Sequence, residues 1–142
     1  MRVSPPDIVS ELQYGGRTLS GDAVNFRIAG PGNGWNLAVV HVSLFNQTSQ
    51  QVSVNIDEAA AVLIDVDGTE FAPINVVSRS ESMSGPIDPQ YRYPDFIGLW
   101  RSIIIRGTES VAGMLIFEVP PDFEPDRFGW KASDTIQVGF RD

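Results

Sequence analysis

The feature that most limits this chain is an apolar period of two that recurs along nearly its whole length, while a helical period never persists over a window of about 11 residues. Successive strand residues point to opposite faces, so such alternation marks half-buried β-strands. "AVNFRIA" (23–29) sets Val24, Phe26 and Ile28 against Asn25 and Arg27. "NLAVVHVSLFN" (36–46) places Ala38, Val40, Val42 and Leu44 on one side, with His41 and Ser43 on the other. "SVAGMLIFEV" (110–119) brings Val111, Leu115, Phe117 and Val119 into phase, and "DTIQVGF" does the same with Ile136, Val138 and Phe140. "DIVSELQY", closed by Gly15-Gly16, and "VSVNI", "LWRSIII" and "DRFGWKA" complete the set.

The punctuation agrees with this reading. "GPGNG" (30–34) is a loop that no regular element crosses. Asp67-Gly68 between apolar runs is a hairpin signal, because both residues tolerate positive φ. "NQTSQQ" reads as the turn that joins 36–46 and 52–56 into a hairpin, and "RGTE" as the turn into the strand 110–119. Pro120-Pro121 ends that strand, since proline cannot donate to a ladder. Turn signals every 8–12 residues or so predict an all-β fold, an antiparallel β-sandwich of about seven to nine strands. Its inward set is Val40, Val42, Leu44, Val54, Leu115, Phe117, Val138 and Phe140. The 142 residues form one domain (1–142), with 1–6 a flexible tail and 74–98 a long irregular connection.

Composition narrows the function classes. There is no cysteine, which excludes a disulfide framework, a thiol nucleophile and thiolate metal sites. The net charge is −8, with nine arginines, one lysine and no basic run, which argues against nucleic acid and anionic membranes as partners. No stretch approaches the roughly 18 apolar residues of a membrane span. "MRVSPPDIVSEL" has no apolar run for a signal peptide, so either the protein stays inside or an export signal or lipid anchor belongs upstream.

Four stretches together carry a family pattern: "VVHVSLFNQTSQQVSV", "LIDVDGTEF", "IRGTESVAGMLIFEVPPD" and "DTIQVGF". With them the chain resembles a large prokaryotic family of immunoglobulin-like domains of unknown function, over roughly Val24 to Phe140, most specifically over Gly107 to Pro121. Its members are usually secreted or lipid-anchored, and their fold is similar to that of the immunoprotective extracellular antigens. The resemblance implies an immunoglobulin-like sandwich and an extracytoplasmic location; it transfers no functional residues, because the family has no established catalytic site. The stretch 74–104 is longer and more aromatic than the family's usual crossover.

Candidate chemistry is sparse. Asp65, Asp67 and Glu70 in "DVDGTE" resemble the start of a calcium loop, but Phe71, Ala72 and Pro73 interrupt it and strands flank it, so a hairpin turn is expected there first and a weak cation site second. His41 is the sole histidine, mid-strand between valines in a sequence with no nucleophile-elbow motif, so a packing residue on the outer face is expected before a base or metal ligand. Asp122, Glu124 and Asp126 lie close together in a proline-rich loop, where solvated carboxylates are expected before acid–base chemistry. "NQT" (46–48) fits a glycosylation sequon and equally a tight turn. "YRYPDFIGLWR" (91–101) is the richest aromatic–arginine segment: Phe96 and Trp100 are expected to be mostly buried, capping an open end of the sandwich, and Tyr91, Arg92, Tyr93 and Arg101 to form a recognition surface.

The expected function is therefore a non-catalytic, extracytoplasmic module that binds a protein or glycan or serves as a structural element of the cell envelope, with no cofactor. A small hydrolase-like or divalent-ion-binding protein using these carboxylates with His41 is the alternative. An intracellular or virion-associated accessory domain is a third.

Overall fold

The computed structural model describes residues 1–132 and 136–140, of which 136–139 are described by their backbone alone. Thirteen strands and one short helix follow in chain order. These are β1 (Arg2–Val3), β2 (Asp7–Val9), β3 (Glu11–Arg17), β4 (Ala23–Ala29), β5 (Asn36–Phe45), β6 (Val52–Ile56), β7 (Ala61–Asp65), β8 (Glu70–Phe71), α1 (Val76–Arg79), β9 (Glu81–Met83), β10 (Arg101–Ile105), β11 (Ser110–Val119), β12 (Pro125–Trp130) and β13 (Ile136–Gly139). The protein is nearly all-β and every strand-to-strand pairing is antiparallel, as the alternation requires. The strand count exceeds the expected seven to nine because four of these strands, β1, β2, β8 and β9, are edge pieces of two or three residues.

The central sheet runs β1–β5–β11, with β2 on the same edge of β5 as β1. The first residues are thus not a free tail: Arg2 and Val3 lie opposite Ser43 and Val42, and Ser4 donates its amide to the His41 carbonyl at 3.0 Å. A second sheet, β13–β12–β7–β8, includes the Asp-Gly hairpin, where Gly68 has φ 84. A third, β3–β4–β9, keeps Gly15 and Gly16 inside β3 rather than at its end, and Ser10 separates β2 from β3.

The strands 36–45 and 52–56 do not form a hairpin. β5 pairs β11 from Asn36 opposite Val119 to Phe45 opposite Ser110, while β6 pairs β10 from Val52 opposite Ile105 to Ile56 opposite Arg101. Both strands of one long ribbon turn the same corner together, through residues 46–51 on one and 106–109 on the other. Asn46 holds that corner. Its side chain, only 5% exposed, donates to the carbonyls of Gln50 (2.7 Å), Ile105 (3.0 Å) and Arg106 (3.2 Å) and accepts from the Thr48 amide and hydroxyl. The sequon amide is therefore occupied and buried, and serves as a brace.

Alternation places the two faces of the central sheet in two cores. Ala38, Val40, Val42, Leu44, Leu115 and Phe117 pack with Leu63, Phe128, Trp130, Ile56 and Ile105 from the second sheet and the ribbon. Of the expected inward set, Val40, Val42, Leu44, Leu115 and Phe117 are buried and Val54 and Phe140 half-buried; the Val138 side chain lies outside the described residues. Leu37, Val39, Met114 and Ile116 point the other way, against Leu12 and Ile28 of the third sheet and Val76 of α1. Each fully buried side chain of this size contributes roughly 1.5–3 kcal/mol of transfer free energy.

The segment 74–98 supplies much of that second cover. Asn75 caps α1 by accepting from the amides of Val77 (3.0 Å) and Ser78 (3.1 Å). A single turn cannot stand alone. Here it is held by buried Val76 and by Arg79, which donates to the Glu118 carboxylate and to the Ala29 carbonyl. No helix among the described residues is long and apolar enough to cross a membrane.

Candidate recognition site

Backbone bonds fix the aromatic segment to the third sheet. The Gln13 amide donates to the Tyr91 carbonyl and the Tyr93 amide to the Gln13 carbonyl, both at 2.8 Å, so 91–93 forms a short parallel bridge beside β3. Gln13 is 5% exposed, and its side-chain oxygen accepts from the Asp88 amide at 2.8 Å. Tyr91, Arg92 and Tyr93 alternate across this bridge: the two tyrosines are half-buried and Arg92 is exposed.

The rings then run in a row over the outer face of the central sheet. His41 stacks on Tyr93 with centroids 5.8 Å apart, Tyr93 meets Phe96 edge-on at 6.0 Å, Phe96 lies 4.6 Å from Tyr14, and Tyr14 stacks on Phe26 at 5.5 Å. Phe96 and Trp100 keep only a minor part of their surface exposed, as expected. Phe96 packs against the second core and Trp100 against both cores, so they cover faces of the central sheet rather than plug an open end. The chain next pairs with β11, through Met114 donating to the Ile97 carbonyl (2.7 Å) and Leu99 donating to the Met114 carbonyl (3.0 Å). It then crosses to β10 at Arg101, whose φ of 66 makes the change of direction. Arg101 accordingly sits in the ribbon, opposite Ile56, and does not join Tyr91, Arg92 and Tyr93.

At the centre of the row three polar groups meet. The Tyr93 hydroxyl donates to Asp7 Oδ2 at 2.8 Å, and His41 Nε2 lies 2.6 Å from the same hydroxyl and 3.4 Å from Asp7 Oδ2. A phenol has one proton, and it is committed to Asp7, so His41 Nε2 must carry the hydrogen it shares with Tyr93. Burial, then the hydrogen bond to Asp7 and the charge of that carboxylate, push the Tyr93 phenol well above its ordinary value. The arrangement is a tie between β2, β5 and the aromatic segment. In it the histidine donates through Nε2.

A groove of about 580 Å³ lies beside this tie, lined by Asp7, Val9, His41, Arg92 and Tyr93 among others. A second of about 230 Å³ lies on the other flank, lined by Glu11, Gln90, Tyr91, Arg92 and Tyr93. Arg92 and Tyr93 border both. Asp7 was the residue that sequence reasoning missed; its exposed position at the head of β2 carries no motif, and only the fold brings it to His41.

The other candidates are placed elsewhere. Asp65 is buried, and its Oδ1 accepts from the amides of Asp67 and Thr69 at 2.9 Å, so it braces the hairpin turn, while Asp67 and Glu70 are exposed. Among the described residues no three of His, Asp and Glu converge as metal ligands. Asp126 pairs with Arg127 at 2.7 Å, and Asp122 and Glu124 are exposed in the loop after β11. No protein-family profile, curated protein or solved structure matches this chain.

Proposed function

We propose that this protein is a non-catalytic recognition module, an immunoglobulin-like sandwich with an added covering layer, that acts outside the cytoplasm and binds a protein or glycan through Tyr91, Arg92 and Tyr93. The observation that carries this reading is the double bridge to Gln13, which holds an exposed Arg92 between two tyrosines and between two grooves. A surface already held by its backbone loses little freedom on binding. Tyrosine and arginine are also the side chains that most often dominate interface energetics.

Screening the purified protein on glycan and peptide arrays, followed by titration of the best hit, tests this. Arg92→Ala and Tyr91→Ala should each leave the melting temperature within about 2 °C and weaken the hit at least about tenfold, a typical hot-spot loss. Affinity unchanged in both variants would remove this surface from consideration. Fractionation of the source cells, with the protein confined to the cytosol, would remove the extracytoplasmic part.

A further inference from the structure

The sheet formed by β6 and β10 has two strands, whereas the others have three or four. Each of the two strands uses one edge on its partner, and among the described residues neither makes a ladder bond along its other edge. An antiparallel strand sends alternate amides and carbonyls to each side. One edge of β10 thus presents a row of backbone donors and acceptors, the chemistry that recognises another extended chain.

The side chains single out β10 over β6. The exposed positions of β6 are Ser53 and Asn55. On β10, Ile104 is 59% exposed, one of the largest apolar exposures on the molecule, beside exposed Ser102. Two arginines bracket the strand, Arg101 at its start and Arg106 just after its end. Both are exposed, and neither joins an ion pair among the described residues, in contrast to Arg27, Arg79 and Arg127, each of which pairs with a carboxylate.

We propose that β10 is a docking edge for an extended segment of another protein, which adds to it as a strand, rests an apolar residue on Ile104 and sets acidic residues beside Arg101 and Arg106. A second copy of this chain fits poorly. Antiparallel self-pairing of β10 would bring like arginines together, and two molecules at −8 repel at long range. This edge is separate from the Tyr91–Tyr93 surface, and either can stand without the other.

The test uses the whole protein, isotopically labelled, and two blocked peptides: Glu-Thr-Val-Thr-Val-Thr-Glu and its counterpart with lysine at both ends. The glutamate-ended peptide should shift the amides of Ser102 to Ile105 and bind about tenfold more tightly than the lysine-ended one, as two exposed charge pairs allow. The double variant Arg101→Glu, Arg106→Glu should reverse that preference, and Ile104→Lys should abolish binding. Hydrogen exchange of the free protein should show alternate fast and slow amides along β10. Uniformly slow exchange there would mean that the edge is already covered and would overturn the proposal. So would equal affinity for both peptides, shifts confined to other strands, no shift at millimolar peptide, or sedimentation showing a dimer with β10 amides protected.

Discussion

Gly107 faces the backbone of Ser49 so closely that a β-carbon on it would overlap the Ser49 carbonyl group. This contact closes the corner where the β5–β6 and β10–β11 strands turn together. It explains the glycine in "RGTE": it is required by the approach of a second backbone rather than by a positive φ. Gly107→Ala should therefore destabilise by about 2–3 kcal/mol, the upper range for overpacking against an immobile neighbour. A denaturant midpoint unchanged from the wild type would contradict this account of the corner.

The next residue carries the opposite lesson. Thr108 has φ 63, and a β-branched side chain in that region is strained by roughly 1–2 kcal/mol. Thr108→Gly should raise stability by about 0.5–1 kcal/mol after the entropy of the unfolded glycine is subtracted. The same assay decides it, and a loss of stability would show that the Thr108 side chain contributes more than its backbone costs.

Asn46 should be among the least replaceable polar residues. Asn46→Ala leaves the carbonyls of Ile105 and Arg106 without their shared donor, at a cost of about 2–4 kcal/mol. Asn46→Asp keeps the shape but loses the donors and buries a charge, and should cost more than alanine. If thermal melts rank the aspartate variant above the alanine variant, the donor role is wrong.

Tyr93 gives a pH signature. Its phenol holds its proton in the folded protein beyond the value near 10 at which an unfolded tyrosine loses it. Above about pH 10 the unfolded chain therefore binds fewer protons than the folded one, so this group's contribution, complete below that pH, is lost as pH rises. Absorbance titration of tyrosinate in wild type and Tyr93→Phe should show that the missing phenol ionises late. The stability gap between the two should narrow in alkali, and a gap that widens would contradict the sign.

The two tyrosines beside Arg92 should separate. Tyr93→Ala removes the tie to His41 and Asp7 and a ring packed on Phe96, and should cost about 2 kcal/mol, below a fully buried ring because Tyr93 is half-exposed. Tyr91→Ala should stay within about 0.5 kcal/mol, as for a surface position. Equal losses in calorimetry would place both in the core.

Period two determined the strands themselves: 23–29 and 110–119 begin and end where the sequence pattern places them, and the Asp-Gly turn and the Pro-Pro stop lie where their backbone chemistry demands. These features are local, set by φ preferences and by side chains pointing to opposite faces, so one segment suffices to see them. The unbroken apolar runs 37–40 and 114–117 also held a signal, since a strand that is apolar on both faces is buried on both. Read only as alternation, they hid the second core.

Which strand pairs with which was decided by the tertiary structure alone. The β5–β6 turn looked like a hairpin because its residues suit one, yet its buried amide bonds carbonyls about 60 positions away. Asp7 and Tyr93, 86 residues apart, meet only once 91–93 lies along β3. Such pairings follow from burying two faces of one sheet at the same time. That requirement belongs to the packed molecule and has no counterpart in the pattern of any single segment.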